Sequence, residues 1–440
     1  MVWEDILAKI KEEKIDFIYL LFTDITGEPK KVTMQAEDVE SALKHGVWFD
    51  GSSIAGFARI FESDMLLKPD MDTFSILPWR EEAGRVAQII CDVYLPDETP
   101  FEGDPRGVLK RALAQAKKMG FDYLIGPEIE FFLLEREALP ELEVHDRKGY
   151  FDLGVQSRAV MLCQETMRQM ESFGVHCETY HHEVSYGQHE IDLKYDKALK
   201  IADGIICLKH ALRVNARIRD LKVTFMPKPL FGINGSGMHV HQSLANSEGI
   251  NLFYDEQNNY NLSDLAIQFL AGQIKHARAL TSLVAPTVNS YKRLVPGYEA
   301  PVYICWGTVN RSALIRIPKV TQTKAREGAR LELRCPDPSC NPYLAFAGML
   351  ASGLAGIEQG LSPAKPVEED VYGFSDEKLE EMNIATLPKS IAEAVDELEN
   401  NEVISAILGA DLTKHFIGAK RQEWKEYLMQ VTPWEVERYL

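Results

Sequence analysis

Gly126-Pro-Glu-Ile-Glu-Phe-Phe-Leu-Leu134 alternates carboxylate and apolar side chains, with Glu128 and Glu130 on one side and Ile129, Phe131 and Leu133 on the other. Period two marks a strand, whose successive side chains point to opposite faces of a sheet. Two more stretches repeat the pattern. In Gly237-Met-His-Val-His-Gln-Ser243, His239, His241 and Ser243 oppose Met238 and Val240; in Leu331-Glu-Leu-Arg-Cys335, Glu332 and Arg334 oppose Leu331, Leu333 and Cys335. Any one of these alone reads as a half-buried antiparallel strand with a solvated face. Together with the acidic segment from His181-His-Glu183 to Glu190, they offer ligands for hard divalent cations. Carboxylates predominate, which favours Mg²⁺ or Mn²⁺ over zinc. His181 and His182 read equally as a packed loop pair and are left without a role.

A cationic series follows: Arg293, Arg311, Arg316, Lys324, Arg330 and Arg334. Several sit among apolar residues, as in Ala313-Leu-Ile-Arg-Ile-Pro318, which argues against an idle solvated face. Guanidinium forks match phosphate and carboxylate groups. Acidic metal ligands beside arginines are what γ-phosphoryl transfer from a nucleotide requires. No GxxxxGK[ST] loop occurs, and Gly232-Ile-Asn-Gly-Ser-Gly237 lacks the strand-to-helix setting of a dinucleotide fingerprint, so an unusual nucleotide fold is expected.

Around these stretches the chain reads as globular: 440 residues, 45% of them hydrophobic, suffice for a full core and two or three domains. The first hundred residues mix short helices with strands at Phe17–Phe22 and Val86–Tyr94, a small α+β unit. The loop Pro96-Asp-Glu-Thr-Pro-Phe-Glu-Gly-Asp-Pro-Arg-Gly107 marks a boundary, giving domains 1–103 and 104–440. Asp104-Pro105 opens a helix that Gly120 stops, and further helices are expected at 156–173, 195–219, 264–284 and 342–359. The net charge of −18 argues against nucleic acid as a partner. The opening MVWEDILAKIKEEK lacks the apolar run of a signal peptide, and no stretch reaches membrane-spanning length. Seven scattered cysteines without a CxxC pair suit reduced, buried thiols in the cytoplasm.

These stretches resemble type I glutamine synthetase of the shorter, non-adenylylated subgroup found in bacteria and archaea. The motifs are Phe49-Asp-Gly-Ser-Ser53, Gly126-Pro-Glu-Ile-Glu130, His181-His-Glu183, Phe225-Met-Pro-Lys-Pro229, Asn234-Gly-Ser-Gly-Met-His239, Asn289-Ser-Tyr-Lys-Arg-Leu-Val-Pro-Gly-Tyr-Glu299, Asn310-Arg-Ser312 and Asn341-Pro-Tyr-Leu344. The resemblance implies an α+β fold, with a β-grasp-like N-terminal domain and a catalytic domain built on a curved, mainly antiparallel sheet. It implies two stacked hexameric rings, a dodecamer with active sites between subunits, and it admits regulatory protein partners.

By the same resemblance, Glu130, Glu183 and Glu190 hold one Mg²⁺ or Mn²⁺, and Glu128, His239 and Glu332 hold a second. Asn234, Gly235, His241, Arg293, Glu299, Arg311 and Arg334 surround L-glutamate. Glu178, Tyr195, His241, Ser243, Arg311, Arg316, Lys324 and Arg330 lie near ATP, with Lys324 in a segment, 318–330, longer than in related sequences. Asp50 and Glu299 flank the ammonium position, and Asp50, Glu299 and Arg311 act in catalysis. Arg59 corresponds to an arginine that couples glutamine feedback, while Tyr372 reads as an ordinary surface tyrosine. Rival readings are a γ-glutamyl ligase for polyamines, which would alter the ammonium site, and a silent nitrogen-sensing homologue, which would lack a metal ligand. Asp50, Glu299 and all six candidate ligands are present.

Overall fold

The computed structural model describes residues 1–52, 54, 64–82, 84–136, 141–154 and 157–440. Two sheets organise it. The first joins β1 (Phe17–Thr23), β2 (Pro29–Gln35), β3 (Val47–Asp50), β4 (Asp64–Pro69), β5 (Ser75–Ile76) and β6 (Val86–Tyr94) in the order β2-β1-β6-β4-β3, with β5 also on β6. Only β1 and β6 run parallel in it, and β3, which ends on Asp50, lies at its edge.

The second sheet joins β7 (Asp122–Glu135), β8 (Cys177–His182), β9 (Gln188–Leu193), β10 (Asp196–Lys197), β11 (Leu221–Thr224), β12 (Met238–Ala245), β13 (Tyr303–Gly307), β14 (Ala313–Arg316) and β15 (Leu331–Leu333). Its order is β13-β14-β15-β12-β7-β9-β8, antiparallel except for β13 with β14. β7 is its spine: fourteen residues long, it pairs with β12 and β9 along its flanks and with β10 and β11 near its ends. Ile129, Phe131 and Leu133 are completely buried in one core with Ile201, Ile205, Leu208 and Leu212 of the helix Ala198–Ile218. One side of the strand is thus held by apolar burial, at about 25 cal/mol per Å² removed from water. The carboxylate side is left to face the cleft. Helices interleave with strands that pair antiparallel except for β1 with β6 and β13 with β14, which makes the fold α+β and not a parallel α/β sheet.

Helix starts follow the capping rules. Asp104 Oδ1 accepts from Arg106 N at 3.1 Å, with Pro105 in the first turn of the helix Pro105–Lys118. Asn341 does the same for Pro342–Glu358, its Oδ1 accepting from Tyr343 N at 3.1 Å. Its Nδ2 donates to Asp24 O at 3.1 Å, tying the β1–β2 turn to the second sheet's helices. A Cβ on Gly27, whose φ is +86°, would sit 2.8 Å from Asn341 Cα, so this turn needs glycine for both its conformation and its approach.

Two expected helices are corrected. The stretch 264–284 is two helices, Asp264–Lys275 and Ala277–Val284, because His276 leaves helical geometry (φ −100°, ψ 7°) while Asn401 Nδ2 lies 2.9 Å from its Nδ1. The helix expected from 195 starts at Ala198, since Asp196 and Lys197 are taken by pairing with β7. The helices Ile391–Glu399, Glu402–Leu408, Ala410–Leu428 and Pro433–Tyr439 were not anticipated. No helix among the described residues is long and apolar enough to cross a membrane. All seven cysteines are free and buried.

Arg106 fastens the two sheets' surroundings together. Its guanidinium, 2% exposed, grips Asp203 with Nε and Nη2 at 3.0 and 2.9 Å and reaches Asp92 at 2.6 Å and Asp70 at 2.8 Å. Burial pushes the Asp70 carboxyl up, but Arg106 outweighs it and holds it below its ordinary value. Removing one partner of a buried ion cluster leaves the others uncompensated, at a cost of about 3–5 kcal/mol. Arg106→Ala is therefore expected to lower the thermal unfolding midpoint by several degrees; a variant that melts with the parent would show the cluster to be idle.

Candidate active site

Strand pairing alone assembles the site. β12 runs beside β7 with His239 opposite Glu128 and His241 opposite Gly126. On the other flank Glu190 lies opposite Glu130 and Asp192 opposite Glu128. Beyond β12, Glu332 faces His241, and beyond that Arg316 faces Glu332. Two cross-strand rows result, His181–Glu190–Glu130 and Arg316–Glu332–His241, flanking the row Asp192–Glu128–His239.

Glu128 bridges two imidazoles, its Oε2 3.0 Å from His239 Nδ1 and its Oε1 2.7 Å from His241 Nε2. Arg330 Nε donates to His241 Nδ1 at 3.3 Å, so in neutral His241 the proton sits on Nε2 and is given to Glu128. Burial pushes the Glu128 carboxyl up, yet these histidine hydrogen bonds prevail and hold it well below its usual value. Its neighbours behave oppositely. Burial, then the charge of Glu183, raises Glu130 to about 8. Burial, then Glu130, Glu128, Asp192 and Glu183, raises Glu190 to about 12. Burial also raises Glu183, with the charges of Glu299 and Glu128 adding to it. Carboxyls so crowded hold their protons until a cation of high charge displaces them.

Potential ligand atoms converge in three groups at this face: Glu128 with His239 and Glu332, Glu130 with Glu190 and His239, and His181 with Glu183 and Glu190. All six expected ligands are thus brought together, and His239 belongs to two groups. Hard oxygen donors with one or two imidazoles fit divalent cations. Glu332, 1% exposed, is ion-paired through Oε2 with Arg316 Nε at 2.7 Å and through Oε1 with Arg334 Nε at 3.2 Å. Arg334 Nη1 is buried at the cleft floor with no hydrogen-bond partner among the described residues.

The cationic residues divide by exposure. Arg334 and Arg293 are buried, but Arg293 directs its donors to the carbonyls of Arg334, Cys335 and Pro336 at 3.0, 2.9 and 3.1 Å. Its head lies under Gly237, where an added Cβ would stand 2.5 Å from Nη2. Arg293 thus fixes the floor rather than presenting free donors. Arg311 is exposed, on a turn closed by Ser312 N donating to Asn310 Oδ1 at 2.8 Å. Asn234 and Gly235 line up through their carbonyls, which accept from Ser185 Oγ at 3.3 Å and from Gln188 Nε2 at 3.0 Å.

A cleft of about 490 Å³ opens beside the cluster and is lined by Glu128, Glu178, Tyr195, His241, Ser243 and Arg330. Arg316 lies instead at Glu332, and neither Arg311 nor Lys324 lines this cleft. Arg326 and Asn251 do, and neither was anticipated. Three further residues were given no role from the sequence: His181, left unassigned there and now 3.0 Å from Glu190 Oε1 through Nε2; Gln188, which donates to Glu130 Oε2 at 2.9 Å; and Asp192. Gln188-His-Glu-Ile-Asp192 carries the same period-two signal as the other strands and would have revealed two of them.

Asp50 stands apart at the end of β3, exposed, its Oδ1 accepting from Ser52 N at 2.8 Å; bonds from Ser52 hold its carboxyl below the ordinary value. Among the described residues no hydrogen bond or ion pair links it to the carboxylate cluster. Glu299 is exposed with φ +55°, an uncommon conformation for a non-glycine residue that clusters at functional sites. Next to it, Tyr372 is not the surface tyrosine expected. It is half-buried, donates to Ala300 O at 2.5 Å, and burial raises its hydroxyl to about 12. Arg59 lies outside the described residues.

The family described as "Glutamine synthetase, catalytic domain" matches residues 102–439, and "Glutamine synthetase, beta-Grasp domain" matches residues 14–96. The glutamine synthetase of Methanosarcina mazei is 48% identical over 439 residues, spanning 99% of this chain and 97% of that protein. That of Thermotoga maritima is 47% identical over 442 residues, with both chains fully covered. Among solved structures, one described as "GmaS/ADP complex-Conformation 1" superposes with a TM-score of 0.89 at 32% identity and covers 98% of each chain. With family matches over residues 14–96 and 102–439 and relatives nearly half identical along almost the whole chain, the chain belongs to the glutamine synthetase family.

Proposed function

We propose that this glutamate–ammonia ligase works through two dications held on the anionic face of the second sheet. Its reaction depends on ATP and divalent metal and makes glutamine from glutamate and ammonia. The observation carrying the assignment of residues is the convergence of Glu128, Glu130, Glu183, Glu190, His239 and Glu332 beside a cleft with arginines. Glu130, Glu183 and Glu190 would hold one ion, and Glu128, His239 and Glu332 the other. Mg²⁺ or Mn²⁺ suits their oxygen-rich donors. Bound there, the ions supply positive charge between two anionic substrates.

ATP takes the cleft of Glu178, Tyr195, Ser243 and Arg330, and the solved relative described as a complex with ADP supports nucleotide binding by this fold. Glutamate lies against Asn234, Gly235, His241 and Arg334, where the Arg334 Nη1 group meets a carboxylate, while Arg293 holds that floor in place. Arg311, from the rim, neutralises charge as the γ-carboxylate attacks the γ-phosphoryl group, giving a γ-glutamyl phosphate and ADP. Ammonium is drawn to Asp50 and Glu299. Asp50 takes one of its protons, and the free amine displaces phosphate to give glutamine. Closure of the Glu299 segment would keep water from the acyl phosphate.

Two folding units, 1–103 and 104–440, assembled as a cytoplasmic dodecamer of two hexamers, give Asp50 a partner. An exposed edge-strand carboxylate without a hydrogen bond or ion pair to the cluster among the described residues supports a role in a neighbour's site. Arg59 remains the candidate for glutamine feedback.

The direct test is ATP-dependent ligation with glutamate and ammonium, hydroxylamine or putrescine. Ammonium should be the acceptor used best at low concentration, and preference for putrescine would make the protein a polyamine ligase. For the shared site, Asp50→Ala chains refolded together with Glu332→Ala chains should regain part of the activity that each lacks alone. Mixed oligomers, verified by mass, that stay inactive would place Asp50 in its own subunit's site.

A further inference from the structure

The hairpin that brings Glu183 and Glu190 to the catalytic face carries a second cluster on its back. Along β9, Glu190 points to the cleft, so His189 points the other way, opposite Phe131. There it meets His145 and Asp146 from the chain between β7 and β8. His145 Nε2 and His189 Nε2 are 2.7 Å apart, and Asp146 Oδ2 is 3.4 Å from His145 Nε2. All three are shielded from solvent, with side-chain exposures of 3% for His145 and 14% for Asp146, and 1% for the His189 residue.

On His189 and Asp146 the atoms turned away from this meeting point are occupied. His189 Nδ1 is 3.2 Å from Tyr180 OH, and Asp146 Oδ1 accepts from His182 Nε2 at 3.0 Å and Gly187 N at 3.1 Å. Outer partners of this kind orient imidazole and carboxylate ligands around a metal. The inner Asp146 Oδ2, by contrast, is buried without a hydrogen bond. A proton shared between the two imidazoles would explain their approach but would leave that oxygen unsatisfied.

We propose that His145, Asp146 and His189 form a site for a transition-metal dication of the zinc class, separate from the catalytic ions. Two imidazole nitrogens and one carboxylate oxygen match the donor sets zinc takes, with a fourth position open to water. Nitrogen donors rank zinc far above magnesium, so Mg²⁺ sufficient for catalysis would not fill this site. Zn–N bonds of about 2.0–2.1 Å in tetrahedral geometry place two nitrogens about 3.3 Å apart, so loading opens the ring pair by about 0.6 Å. His145 lies outside helix and strand, where such a shift is accommodated. Once bound, the ion ties this connecting segment to the β8–β9 hairpin and steadies the ligands on its front.

The test uses the full-length protein, stripped by chelator and equilibrated with zinc in millimolar Mg²⁺. Crystals measured on both sides of the zinc absorption edge should show an anomalous peak about 2.0–2.2 Å from His145 Nε2, His189 Nε2 and an Asp146 oxygen. After dialysis, His145→Gln should hold about one zinc per chain fewer than the parent, with an unchanged circular dichroism spectrum. Zinc at the catalytic carboxylates without a peak at this cluster, or equal zinc contents in variant and parent, would overturn the proposal. The diffraction arm needs no substitution, so a variant that misfolds does not rescue the idea.

Discussion

Electrostatic crowding on one sheet face is the constraint to which the rest of the structure answers. Glu128, Glu130, Glu183, Glu190, Asp192 and Glu332 share it, and burial with mutual repulsion keeps the Glu130 and Glu190 carboxyls far above their ordinary range. Without cations such a face is tolerated by keeping protons on its crowded carboxyls, and a dication can take their place. The opposite face offsets the folding entropy instead, through Ile129, Phe131 and Leu133 packed on the helix Ala198–Ile218. The sheet is thus apolar behind and anionic in front, and the metal requirement follows from that division.

Rigidity is graded across the site in the same sense. At the floor, Arg293 is braced by three carbonyls, and Gln188 reaches Glu130, Gly235 and Ser236 together. At the rim, Asp50, Glu299 and Arg311 are exposed, and Glu299 sits at positive φ. Groups that hold ions are fixed before substrate arrives, whereas the groups assigned to ammonium and to the transferring phosphoryl remain free to approach. Such an order suits a reaction whose intermediate must be screened from water only after it forms.

How much of this was legible depended on whether the signal was local. Glu128, Glu130, His239, His241 and Glu332 were readable because period two on a strand is a property of neighbouring residues. His181 and His182 were adjacent in a strand not recognised as one. Neighbours in a strand point apart, and His181 turns to Glu190 while His182 turns to Asp146. The role of Arg293 as a brace could not be read, since its partners are carbonyls more than forty positions away. Arg326 was passed over for Lys324 because a helical turn, not its composition, decides which of the two lines the cleft. The contact of Asn401 with His276, at the break between two helices, likewise joins residues far apart along the chain.

Whether the crowded carboxylates exist to hold metal can be decided by melting the parent and Glu190→Gln with chelator and then with Mg²⁺. Glu190, its carboxyl raised to about 12, keeps its proton at neutral pH in the metal-free fold, so a neutral amide should change little there. The expected outcome is metal-free midpoints within about 2 °C of each other, followed by a rise with Mg²⁺ that is large in the parent and mostly lost in the variant. A variant that melts well below the metal-free parent and gains as much from Mg²⁺ would show that Glu190 supports the fold and not the ion.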